Sequence, residues 1–210
     1  MNKFIRMSIV SAFLIFSSNG LKAQYVFQSD AHYIPENREI LDSLGIETFD
    51  SKNLFEMRVW AEPCFSPTDL FRFVLRNDDT WYVEKFDYWI NKEGSGLKKE
   101  MIELGKDWNV VMDSLIDLGI LTLRDWSEVS KDCKGEMQII NGKTAYLNHY
   151  ILDGISYTVE LLTNQNKRKY RYSNPYEYSN FYKNVKELNS IVRILDVIFV
   201  KTFPTDLSRK

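Results

Sequence analysis

Near the C-terminus, Tyr178, Phe181, Tyr182, Val185, Leu188, Val192, Leu195 and Phe199 recur at spacings of three and four. That is the period of a helix with one apolar side. Asn174 can cap it and Pro175 fits its first turn, while Pro204 marks its end. Such a stripe has to be buried against something. Arg193, Asp196 and Lys201 interrupt it, so a membrane is not its destination. Its cover must come from elsewhere in the chain.

The segments able to supply that cover are written in a period of two. Met57, Val59 and Ala61 alternate with Glu56, Arg58 and Glu62, and Phe71, Phe73 and Leu75 alternate with Arg72 and Arg76. Alternation of this kind reads as half-buried strand. Asn77-Asp78-Asp79 has turn chemistry, and Trp81 to Ile90 is a third, aromatic strand. Gly94-Ser95-Gly96 reads as a linker. After it Leu97, Met101, Leu104, Trp108, Val111, Met112, Leu115 and Leu118 return to helical spacing. The firm part of that helix is Asp107 to Leu118, with Gly119 as its stop.

In the second half, Asp153-Gly154 is a two-residue hairpin signal. It would join a strand from Thr144 to one running through Leu161, with Tyr150 opposite Tyr157. Asn164-Gln165-Asn166 then turns into a strand from Lys167 to Ser173. The order is βββα followed by βββα. The predicted fold is α+β: an antiparallel sheet of about six strands with two main helices on one face. Two smaller sheets, one per half, is the alternative.

The first 23 residues are of another kind. Lys3 and Arg6 precede a short apolar run, Ser8 to Phe16, followed by a small-residue stretch ending at Ala23. This is the layout of a secretory signal peptide cleaved near Ala23, and the run is too short to span a bilayer. Residues 24–50 then form a lead-in with a short helix signal from Pro35 to Leu44, read as a docking arm. Residues 51–203 are a single α+β domain, and 204–210 a flexible tail.

Export changes the charge and the cysteines. The 27 basic and 29 acidic residues of the whole chain become 24 and 29 once Lys3, Arg6 and Lys22 are removed, a net charge of −5. A mildly acidic exported chain has no global attraction for nucleic acid. With no Asn-x-Ser/Thr sequon, a periplasmic or secreted bacterial protein is the expectation. In an oxidising compartment Cys64 and Cys133 have two readings, one disulfide or two free thiols.

Motifs for chemistry are missing: no phosphate-cradling Gly-rich loop, no His-Glu-x-x-His, no Gly-x-Ser-x-Gly and no Cys-x-x-Cys. His149 lies on a predicted strand without an adjacent nucleophile, and His32 has no second histidine near it, so no metal site is expected. Glu56, Glu62, Glu84, Asp87 and Glu160 all fall on strands, but among 29 acids a suitable pair arises by chance. The reading leans away from an enzyme, and a core of this size needs no cofactor for stability.

Eight of the 12 tyrosines fall between Tyr146 and Tyr182, interleaved with Lys167, Arg168, Lys169 and Arg171. Tyrosine and arginine favour recognition surfaces. The candidate binding residues are therefore Arg168, Lys169, Tyr170, Arg171, Tyr172 and Tyr176, facing an acidic partner such as an envelope protein or an acidic glycan. The competing reading is a charged edge strand with core tyrosines. Asp153-Gly154 through Tyr157 and Glu160, then Tyr170-Arg171-Tyr172 and Asn174-Pro175 before a long helix, resembles a pattern of small exported Gram-negative proteins of unknown function, over roughly residues 145–200. The resemblance implies architecture and no activity. The expected function is a non-catalytic binding or structural protein of the bacterial envelope. The alternatives are a periplasmic inhibitor or immunity protein that masks a partner, and a hydrolase with an unrecognised carboxylate site.

Overall fold

The computed structural model describes residues 25–202, apart from 47–48, 92–93, 105–107 and 142. The expected signal segment 1–23 and the tail 204–210 lie outside the described residues. The chain runs α1 (Arg38–Ser43), β1 (Asn53–Pro63), β2 (Thr68–Arg76), β3 (Trp81–Asn91), β4 (Gly94–Glu103), α2 (Trp108–Asp117) and α3 (Trp126–Val129). It continues with β5 (Glu136–Ile140), β6 (Lys143–Leu147), β7 (Ile155–Leu162), β8 (Lys167–Ser173), α4 (Pro175–Phe181) and α5 (Lys186–Thr202).

The fold is α+β. Six strands form one antiparallel sheet in the order β4-β3-β2-β1-β7-β8, and β5-β6 stand apart as a two-stranded hairpin. β1 to β4 are a meander, and β7 joins the other side of β1 with Met57 opposite Leu161 and Val59 opposite Val159. The two halves thus share one sheet, not one sheet each. Phe55, Met57, Val59, Phe73, Val83, Val159 and Leu161 turn to one face, where Trp108, Met112 and Leu115 of α2 and Leu188, Ile191, Ile194 and Ile198 of α5 pack on them. Phe73 and Trp108 stack with ring centroids 5.5 Å apart.

Three expectations are corrected. Residues 94–103 form a fourth strand, pairing Leu97 with Tyr88 and Met101 with Glu84, in place of a linker and the start of a helix. The apparent helical stripe there is no buried stripe, since Leu97 and Met101 are exposed. Gly96 serves packing instead of flexibility: a Cβ on it would lie 2.0 Å from the indole of Trp89. The helix proper begins at Trp108 and stops where read. Gly119 takes φ +90°, its N–H reaches Ile116 O (2.8 Å) and the Ile120 N–H reaches Leu115 O (3.0 Å), a Schellman ending.

The second correction is the hairpin at Asp153-Gly154. β6 ends at Leu147 and pairs with β5, Tyr146 opposite Met137, because both edges of β7 are already taken by β1 and β8. Gly154 instead extends the β1 ladder, its carbonyl accepting from the Cys64 N–H at 3.1 Å. The third is the C-terminal helix, which breaks at Tyr182 (φ −114°, ψ 58°). α5 then buries Leu188, Ile191, Ile194 and Leu195, a stripe rotated from the one read through an unbroken helix.

The second face of the sheet is also covered. The lead-in crosses from one face to the other around β8. Tyr25 and Phe27 sit in the helix-side core, with Tyr25 stacked on Phe55 at 4.4 Å. Residues 33–46 lie on the opposite face, where Leu41 and Ile46 pack against Trp60, Leu70 and Phe86 in a second, separate cluster. This is why β1 is buried on both sides along most of its length.

Candidate interaction surface

Strand alternation divides the five predicted binding residues of β8 between two faces, and the sixth, Tyr176, stands on α4. On the helix side, Tyr170 and Tyr172 are buried. Their hydroxyls donate to Ile120 O (3.2 Å) and Arg124 O (2.5 Å), and Arg168 Nη2 donates to Leu123 O at 2.7 Å. These three residues hold the loop after α2. Burial, followed by the charges of Glu187 and Asp125, pushes the Tyr172 hydroxyl well above its ordinary value. Tyr176 donates to Asp196 Oδ1 at 3.0 Å. On the other face, Lys169 and Arg171 are brought together around one acid: Glu36 lies 3.1 Å from Lys169 Nζ and 3.6 Å from Arg171 Nη1, while Arg171 Nη2 is 3.1 Å from Glu62.

The outward amides of β8 are occupied as well. The Lys167 N–H donates to Ser29 Oγ (3.1 Å), the Lys169 N–H to Asp30 Oδ2 (2.6 Å) and the Arg171 N–H to Asp125 Oδ2 (2.9 Å). Asp125 also caps α3 through the Ser127 N–H. Burial would raise its carboxyl, but the N–H groups of Ser127 and Arg171 outweigh that and hold it below the usual range.

Beneath the lead-in lies a transverse row of charge. Cross-strand register places Glu84, Arg72, Arg58, Glu160 and Lys169 side by side on five adjacent strands, with Glu56 between the two arginines. Glu56, Arg58 and Glu160 are fully buried. Arg58 Nε is 2.6 Å from Glu56 Oε1, and Arg72 Nη1 is 2.5 Å from Glu84. Glu160 Oε1 accepts from the Tyr33 hydroxyl and the Glu36 N–H, each at 2.8 Å, and its Oε2 accepts from Trp60 Nε1 at 3.1 Å. Burial would raise the Glu84 carboxyl, yet hydrogen bonds from Lys99 and Arg72 hold it below the carboxylate range. Three of the strand acids, Glu56, Glu84 and Glu160, thus form one network whose oxygens are spent on neighbouring donors. Chemically it holds a segment in place.

The open chemistry is at the hairpin and one end of the sheet. Met137, Ile139, Tyr146, Leu147, Tyr150 and Leu152 are all more than half exposed, Leu152 at 89%. Register pairs Met137 with Tyr146 and Ile139 with Thr144 on one side of the hairpin. Two strands alone are marginal in water, so an apolar side of this kind ordinarily needs a third strand or a packed layer. Beyond the hairpin, the Leu152 carbonyl lies 3.8 Å from Cys64 Sγ at one end of the sheet. There an open groove of about 590 Å³ is lined by Cys64, Phe65, Pro67, Thr68, Tyr88 and Trp89.

Cys64 and Cys133 are not bonded to each other, which removes the disulfide reading. Each thiol faces its own carbonyl, Cys133 that of Val129 at 3.6 Å. Burial pushes the Cys133 thiol up to about 11, with Asp132 adding to it. His149 leaves the sheet altogether: its ring stacks on Phe181 at 4.0 Å and its backbone N–H donates to the Tyr182 hydroxyl, at the break between α4 and α5. Among the described residues no three His, Cys, Asp or Glu side chains converge as a metal site, and no helix is long and apolar enough to cross a membrane. Comparison with protein-family models, curated proteins and solved structures finds no match to this chain.

Reasoning from sequence missed the apolar hairpin because it placed residues 144–152 against β7. The signal was there in Met137, Ile139 and Ile140, an apolar stretch ahead of the dipeptide Asn141-Gly142, a sequence signal for a hairpin turn.

Proposed function

We propose that this chain is an exported protein of the bacterial envelope that works by binding a protein partner, not by catalysis. The apolar surface of residues 137–155 makes the contact. Export rests on the charged, apolar and small-residue order of residues 1–23. Binding rests on one observation above all: Met137, Ile139 and Tyr146 stand exposed on a hairpin outside the main sheet, and Tyr150 and Leu152 stand exposed on the segment that follows it. Exposed apolar side chains grouped on a surface mark interaction sites. An inhibitor or immunity protein is the form this function takes where the partner is an enzyme or toxin.

The test is affinity capture from envelope extract with the mature chain and with Ile139→Glu/Leu152→Glu. A partner retained by the first and lost with the second supports the reading. Capture that ignores the substitutions, or an N-terminus intact on the exported protein, overturns the corresponding half of it.

A further inference from the structure

The lead-in meets the sheet as a ligand meets a site. Glu36 makes two complementary contacts at once: its N–H donates to Glu160 Oε1 at 2.8 Å, and its carboxylate sits between Lys169 and Arg171. Three residues earlier the Tyr33 hydroxyl shares the same Glu160 oxygen. One residue later Asn37 Nδ2 donates to Glu62 Oε1 at 2.8 Å, and Leu41 enters the Trp60, Leu70 and Phe86 cluster. The sheet side of this arrangement is built and charged. It consists of buried Glu160, fixed by Trp60 Nε1 and flanked by Arg58, and the basic pair of β8.

Two further features separate this contact from ordinary core packing. The cluster under the arm is distinct from the helix-side core and far smaller, so it can open without disturbing the main one. The arm is also anchored on both sides of the contact, by Tyr25 and Phe27 in the helix-side core and by β1. A segment fastened at both ends and held between them by polar contacts and one small apolar cluster can lift without leaving. A buried charge row adds little net stability over apolar residues of the same shape, and its best-attested use is to specify one alignment of what docks on it.

We propose that this face is a peptide-binding site occupied in cis by residues 33–41. Its second occupant is an acidic segment of a partner protein that turns into a helix as the arm does at α1. The segment carries Glu or Asp with its N–H on Glu160 and its carboxylate on Lys169 and Arg171, then an amide side chain for Glu62, and an apolar residue one helical turn further on. The site is independent of the hairpin surface.

The probe is a synthetic peptide of residues 29–46, titrated against the mature chain and against Glu36→Ala/Leu41→Ala, with hydrogen exchange followed on the same samples. In the variant the arm amides lose protection while β1 and β7 keep theirs. The peptide then binds the variant at least about tenfold more tightly than the wild type, whose own arm competes. A second variant guards against misfolding: Arg171→Glu, on the edge strand, releases the arm, rejects the native peptide and accepts one carrying Arg at position 36. Loss of arm protection only together with the sheet, equal affinity for both chains, or absence of charge-swapped binding overturns the proposal.

Discussion

Arg72 grips Glu56 with two nitrogens, Nε 2.8 Å from Oε1 and Nη2 2.8 Å from Oε2, inside a sheet face that excludes water from the carboxylate. Bidentate pairing of this kind is the strong form of the interaction, and breaking it strands a buried charge. Arg72→Met is expected to cost about 3–5 kcal/mol in urea unfolding. Glu56→Leu/Arg72→Met should recover part of that loss, because the stranded Glu56 carboxylate is gone while Arg58 and Glu84, which also contact the pair, keep their charges. Additive losses in the double variant would show that the pair is not coupled.

Acid should loosen the same face at its other end. Glu84 is held below the carboxylate range by Lys99 and Arg72 against the opposing effect of burial. Its folded value lies under its unfolded one, so its contribution is present above the unfolded value and is lost as pH falls through the folded one. Lys99→Met removes one of the two donors and should move the acid unfolding midpoint to higher pH. An unchanged midpoint would count against the role of Lys99.

Alkali acts through the tyrosines. Burial, then the charges of Glu177, Asp196 and Asp69, pushes Tyr157 up to about 12 from an ordinary 10.0, and burial holds Tyr170 and Tyr172 well above the ordinary value as well. A raised folded value means stability is fully present below the unfolded value and is lost as pH climbs through the folded one. Ultraviolet titration should show a late group of tyrosines that ionises together with loss of the near-ultraviolet dichroism. A single smooth titration of all 12 tyrosines would contradict the buried set.

The two cysteines should separate kinetically. Cys64 is exposed and Cys133 is half-buried, its thiol raised to about 11. A disulfide reagent at mildly alkaline pH should consume one thiol quickly in the native chain and the second on a much longer timescale, since only the thiolate reacts. Denaturation should merge the two phases, and Cys64→Ser should delete the fast one. No free thiol in the native chain would restore the disulfide.

Ile139→Glu should leave the thermal midpoint almost unmoved. Its side chain is 76% exposed, and substitutions at such sites ordinarily change stability by less than about 0.5 kcal/mol. A large drop would mean that the hairpin packs on the body of the chain in solution.

What could be read from sequence follows how local the signal was. The alternation from Met57 to Phe73 and the stop at Gly119 each depend on neighbours a few residues away, and both are present in the structure. β4 was misread because Leu97, Met101 and Leu104 fit helical spacing, while an edge strand buries too little to announce its own period. The C-terminal helix was read as continuous because a break at Tyr182 costs no apolar residue from the stripe. The charge row was invisible for another reason. Glu56, Arg58 and Arg72 look like the wet side of their strands until Glu160, from the second half of the chain, is laid beside them. Trp60, Leu70 and Phe86, three large apolar residues on that supposedly wet side, were the clue that something covers it. Within the predicted recognition strand, the basic residues could be found but their occupant, Glu36, lies more than 130 positions away in sequence.

The side-chain caps on β8 have a consequence for what this protein can become when crowded. Edge-to-edge stacking into a fibre requires every molecule to offer two free margins, one to accept a neighbour and one to be accepted. Ser29, Asp30 and Asp125 have closed one margin. A chain joined through its main sheet can therefore make a pair and then has nowhere to add a third. Polymerisation by that route ends at its first step.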